Sequence, residues 1–124
     1  MRHRLAAALL CLFCSPLAHA GFEDGMAAYE KGNYTAAYAE LLQAARQGDM
    51  RAQGKLGGLY LYGVGIEKNY IEAYAWLDLA VRQGDTAAEK FRDAIADQLD
   101  VKQMREAAVL AEDYYDKYVV RFRK

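Results

Sequence analysis

From Phe22 onward, apolar residues recur three and four positions apart, the period of a helix buried along one side. A short first helix is predicted over Phe22 to Lys31. It ends at Lys31-Gly32-Asn33, where Gly32 suits a left-handed residue and Asn33 an N-cap. The second helix, about Tyr34 to Gln47, sets Ala37, Leu41, Ala44 and Ala45 on one face. Gly48 and Asp49 follow as a helix stop and a helix start. The third, Met50 to Tyr62, mixes Leu56, Leu59 and Tyr60 with Gly54, Gly57 and Gly58. Glycine inside a helix costs about 1 kcal/mol against alanine, so a neighbouring helix is expected to pack very close there.

A longer turn, Gly63 to Lys68, leads to a fourth helix that starts after Asn69 and runs to about Gln83. Asn69 and Glu72 have capping-box spacing, and Ala73, Trp76, Leu77 and Ala80 form the buried side. Gly84-Asp85 repeats the stop-start signal. A fifth helix is predicted over Thr86 to Gln98. Asp100 and Gln103 open a last one, with a seam of Val101, Met104, Ala108, Ala111, Tyr115, Tyr118 and Phe122. That seam is expected to pack on the fifth helix or, second, to pair two protomers.

Two of these segments are copies. An offset of 36 residues carries Asn33-Tyr34 onto Asn69-Tyr70, Ala37-Tyr38-Ala39 onto Ala73-Tyr74-Ala75, and Arg46-Gln47-Gly48-Asp49 onto Arg82-Gln83-Gly84-Asp85. A period in this range marks stacked supersecondary units, each sheltering its apolar face against the next. The expected fold is all-α: a short α-solenoid of about three antiparallel helix pairs, about 22–48, 49–84 and 85–124, the last an atypical cap.

The first 20 residues stand apart. Arg2 and Arg4 precede the apolar stretch Leu5 to Phe13, and Ala18-His19-Ala20 has the small-x-small pattern of a signal-peptidase site. The apolar run is about half of the roughly 20 residues needed to cross a bilayer. Neither Cys11 nor Cys14 follows a residue suited to a lipobox. A cleaved secretory signal is expected, with an uncleaved N-terminal anchor as the alternative, and the product would be periplasmic or secreted.

That removal strips the chain of chemistry. Every Cys, His, Ser and Pro lies before Gly21, and residues 21–124 carry 14 basic against 17 acidic side chains. The mature chain is left without disulfides, a Ser or Cys nucleophile, or an imidazole ligand. No metal or cofactor is expected, and the charge gives no general affinity for nucleic acid or anionic lipid. A Glu72–Asp78 acid/base pair is the carboxylate candidate, against its reading as two solvated side chains on different faces. Gly63-Val64-Gly65 lacks the preceding strand of a phosphate loop and reads as a repeat turn.

The ten tyrosines all follow Gly21. Tyr34, Tyr60, Tyr70 and Tyr74 occupy repeat positions and are expected inside, with Tyr62 and Tyr38 freer to face outward. The aromatic and basic segment from Tyr114 to Lys124 reads as the end of the last helix, its cations favoured by the helix dipole, ahead of a surface for an acidic partner or headgroups.

Ala52-x-x-x-Leu56-Gly57-x-x-Tyr60-x-x-Gly63-x-Gly65-Ile66-x-Lys68-Asn69-Tyr70-x-x-Ala73-x-x-Trp76-x-x-x-Ala80-x-x-x-Gly84-Asp85 resembles one complete Sel-one-like repeat (SLR), a family within the tetratricopeptide-like (TPR) superfamily. The preceding unit departs from it, with a turn four residues shorter that resembles an ordinary TPR turn. The resemblance implies a non-enzymatic adaptor or scaffold that binds a protein or peptide on a concave face built from the first helix of each pair. Carried across by position, Arg51, Gly54, Gly58, Leu61 and Tyr62 would face that groove. A monomer is expected ahead of a dimer. An accessory subunit or carboxylate-dependent enzyme of cell-wall or glycan processing is the alternative, and a self-assembling structural module a third.

Overall fold

A computed structural model of the chain describes residues 21–122. The predicted leader, with Cys11, Cys14 and the site after Ala20, lies outside the described residues, as do the side chain of Phe122 and residues 123–124. Among the described residues there are six α-helices and no strand. They are α1 (Phe22–Glu30), α2 (Tyr34–Arg46), α3 (Met50–Tyr62), α4 (Tyr70–Arg82), α5 (Thr86–Gln98) and α6 (Val101–Tyr118), followed by a 3₁₀ turn, Val120–Phe122.

The copied Gly-Asp pairs make copied bends. Gly48 and Gly84 have φ of 90° and 110°. At the first bend the amides of Gly48 and Asp49 donate to the carbonyls of Ala45 and Ala44 at 3.1 and 3.2 Å. At the second, Gly84 and Asp85 donate to Val81 and Ala80, both at 2.9 Å. This is the glycine-terminated helix end in which the two residues after the cap return to the last turn. Each aspartate then starts the next helix, Asp49 accepting from the Arg51 and Ala52 amides and Asp85 from that of Ala88. Gly32 (φ 79°) closes α1 in the same manner, the Asn33 amide donating to Ala28. Asn33 itself makes no side-chain cap, contrary to the expectation.

Two more caps were expected as boxes. Asp100 and Gln103 form one in full. At α4 only half is made: Asn69 accepts from the Glu72 amide, but the Glu72 carboxylate turns away to accept the Tyr114 hydroxyl from α6. A long-range partner displaces a local one.

Within each of the first two pairs the helices touch through a glycine. A Cβ on Gly57 would lie 2.6 Å from Leu77 Cγ, and one on Gly25 2.7 Å from Leu41 Cγ. Leu41 and Leu77 are one repeat apart, so the same glycine–leucine contact joins α1 to α2 and α3 to α4. The core follows, with Leu41, Leu56, Leu79 and Trp76 fully buried. Gln53, also fully buried, ties the bends together. Its amide donates to the Ala45 carbonyl at 3.1 Å, and its carbonyl accepts from Gln83 at 2.6 Å. A buried side-chain amide is stable only with such partners.

The C-terminal pair departs from the first two. Both α5 and α6 pack on α4, and α6 does not lie along α5 as the seam was expected to. Its inward face is Met104, Ala107, Ala111, Tyr114, Tyr115 and Tyr118, while Val101 (76% exposed) and Ala108 of the predicted seam point outward. The aromatic spacing decides this. Tyr114 and Tyr118, one helical turn apart, both lie against Trp76, with ring centroids 4.6 and 5.6 Å away. The aromatic end of α6 thus packs on the core. Lys117, near that end, pairs with Asp113 at 2.9 Å.

α5 compensates its own departure from the repeat. Arg92 occupies the repeat position of Leu56 and reaches the buried Asp78, itself at the repeat position of Leu42. Arg82 completes the group at 2.8 Å and also pairs with Glu112. Two apolar repeat positions, Leu42 and Leu56, have become an ion pair one period on.

Tyrosine placement differs from expectation at two points. Tyr34 is exposed, and Tyr38 turns inward to share a 2.8 Å hydrogen bond with the Tyr60 hydroxyl. Burial raises the pKa of Tyr60, and burial with the bond to Glu72 raises that of Tyr114. Both hydroxyls therefore stay protonated in the folded chain at a pH where unfolded tyrosine ionises, about 10. Their contribution to stability is complete below that pH and declines above it. Denaturation midpoints measured from pH 9 to 11.5 should fall through this window, and the fall should be shallower in the double variant Tyr60→Phe/Tyr114→Phe.

Candidate functional site

The first helices of the three pairs, α1, α3 and α5, line a groove with a cavity volume of about 260 Å³. One wall is Phe22 and Met26 from α1, and the other is Ala87 and Phe91 from α5. Arg51, Gly54 and Lys55 run between them on α3, with Leu77 and Ala88 at the floor. Gly54 keeps that floor low and lets the next bend approach, since a Cβ there would lie 2.9 Å from the Asp85 carboxylate.

The cations are fixed rather than loose. The Arg51 guanidinium lies 4.2 Å over the Phe22 ring and pairs with Asp49 and Glu23, each at 3.1 Å. The bond to Asp49 is the main cause of its raised pKa. The Lys55 ammonium sits 4.1 Å above the Tyr29 ring and has no carboxylate partner among the described residues. Such contacts hold a charge over an apolar wall while leaving part of it available. The arrangement can receive a bulky apolar side chain and contact a polar group beside it. No Ser, Cys or His lines it.

Of the five residues singled out on α3, Arg51 and Gly54 line this groove. Gly58, Leu61 and Tyr62 continue the same stripe toward the C-terminal end of the helix, outside the groove lining. Gly58 has open space around it, Leu61 packs partly on the core, and Tyr62 is 65% exposed. Sequence reasoning missed Phe22, Met26 and Phe91. Phe91 alone carried a signal, as an aromatic on α5 one position before the Arg92 that breaks the repeat.

Other candidates lose their chemistry in the fold. Glu72 holds the Tyr114 hydroxyl, and Asp78 is bound by two arginines, so the proposed acid/base pair is divided between two structural contacts. At Gly65 (φ 78°) a Cβ would come 2.3 Å from the Tyr34 carbonyl oxygen. The glycine turn is thus packed at Gly65 against the backbone of α2. Among the described residues no cluster of three or more His, Cys, Asp or Glu could hold a metal, and no helix is long and apolar enough to cross a membrane.

Paired helices, a tandem period and a lined inner face define an α-solenoid of the kind that serves as a protein-interaction repeat. The solved structure of a protective antigen present in uropathogenic Escherichia coli strains, which displays an SLR fold, superimposes with a TM-score of 0.74 at 31% identity. The match covers 81% of this chain and 22% of that one, so the chain spans about a fifth of the antigen's length. No family model matches the sequence, and no curated protein does. The chain has the SLR fold, within the TPR-like solenoids, as the residues from Ala52 to Asp85 indicated.

Proposed function

We propose that this chain is an exported, non-enzymatic adaptor that holds a protein or peptide in the groove between α1, α3 and α5. The observation that carries the reading is the apolar hollow bounded by Phe22, Met26 and Phe91 on the inner face of a repeat fold used for protein interaction. Arg51 and Lys55 would orient polar groups of the occupant, and Gly54 would admit its backbone. The stripe through Gly58, Leu61 and Tyr62 would extend the contact where the occupant is longer than the groove. Interfaces commonly draw their affinity from a few such aromatic anchors.

Export rests on the leader-like pattern of Arg2, Arg4, Leu5 to Phe13 and Ala18-His19-Ala20, and requires a mature chain beginning at Gly21. A partner retained from a cell-envelope extract should lose at least about tenfold in affinity on Phe91→Asp, with far-UV circular dichroism unchanged. Phe91 is 40% exposed, so the substitution leaves the core intact. Unchanged affinity for every retained partner would refute the groove.

A further inference from the structure

We propose that the outer face of α6 is a self-complementary surface on which a second copy of this chain docks in the antiparallel sense, centred on Val109. This face is independent of the groove. Ala107 and Ala111 are buried against α4, and the opposite side of the helix presents Lys102, Arg105, Glu106, Val109, Asp113 and Asp116 to solvent. Val109 is 65% exposed and lies in a shallow hollow of about 530 Å³, bordered by Arg105, Glu106, Leu110 and Asp113. An isolated exposed valine needs no explanation. The order of the charges around this one does.

In an antiparallel pair of helices each residue meets the one equally far on the other side of the centre. Four residues either side of Val109 stand Arg105 and Asp113, and seven residues either side stand Lys102 and Asp116. Two copies joined there place Arg105 against Asp113 of the second copy and Lys102 against its Asp116, each pair formed twice by symmetry. Val109 meets Val109 between them. The like-charged pair in this register, Glu106 with Glu112 of the second copy, is eased because Glu112 is already bound by Arg82.

Two alternative arrangements are worse. Displacing the register by one turn toward the C-terminus sets Glu106 against Asp116 and Arg105 against Lys117. A parallel pairing sets every charge against itself. Charge order of this kind selects partner and orientation in paired helices. Arg105, Lys102 and Asp116 have no ion-pair partner among the described residues, so a second copy would not have to displace one. Asp113 would share itself with Lys117.

Exposed ion pairs around one small apolar contact give a weak dimer that salt dissociates. Sedimentation velocity of the purified chain should show concentration-dependent dimerisation that weakens by about tenfold when salt rises from roughly 50 to 500 mM. Asp113→Arg should abolish it, and Asp113→Arg combined with Arg105→Asp should restore it. All of these are surface changes that leave the α4 contact intact. Three results would overturn the proposal: a monomer at every concentration, as when this face serves a different protein; a dimer indifferent to Asp113→Arg; or a charge swap that fails to restore association.

Discussion

Trp76→Ala is expected to cost about 3–5 kcal/mol of folding stability, the range for deleting a large buried aromatic. Trp76 is 1% exposed and is the side chain on which the α6 rings of Tyr114 and Tyr118 rest. Its loss leaves a cavity and releases the helix that caps α4. Against the roughly 5–15 kcal/mol that holds a domain together, this is the largest effect any one truncation should have. Urea denaturation followed by circular dichroism measures it directly. A loss under about 1.5 kcal/mol would mean that α6 is not held on α4 as described.

Gly65→Val should follow, at about 2–4 kcal/mol, for a different reason. The position combines φ of 78° with a backbone carbonyl 2.3 Å from where a Cβ would stand. Neither strain can be relieved by a side-chain rotation, because the obstacle is the Tyr34 backbone at the start of α2. Gly58→Val makes the control, an exposed-side helix glycine with nothing within 4 Å. It should change stability by less than about 1 kcal/mol, since valine differs only modestly from glycine in helix propensity. Equal losses at the two glycines would remove the steric explanation.

Local signals carried most of the fold into the sequence. Gly48-Asp49 and Gly84-Asp85 could be read because a glycine stop and an aspartate start act on their own backbone, within five residues. Ala37, Leu41, Ala44 and Ala45 could be read because burial on one helix face imposes a period. Gly57 announced a close approach that Leu77 makes. What escaped were contacts between distant residues. Glu72 leaves its local cap for Tyr114, 42 residues on, and Tyr38 turns inward for Tyr60. The inner face of α6 is set by Trp76 rather than by its own heptads. Gln53 shows no periodic signal, since a polar residue in the core is legible only once Ala45 and Gln83 are known to surround it.

The same limit governs the groove. Repeat positions on α3 pointed to Arg51 and Gly54, which line it, because equivalent residues in stacked units face the same way. Its walls come from α1 and α5, brought beside α3 only by the fold; Phe91 stands one period after Lys55, so its wall could have been read from the repeat, whereas Phe22 lies in the unit with the shorter turn.

Affinity for the partner retained from an envelope extract, titrated with the unaltered chain, Phe91→Asp and Gln43→Asp, bears most directly on the groove as the docking surface. Gln43 is an exposed residue of α2, on no part of the groove lining. Docking between α1, α3 and α5 predicts a loss of at least about tenfold for Phe91→Asp and none for Gln43→Asp. Equal isotherms for all three chains, or a loss confined to Gln43→Asp, would contradict it.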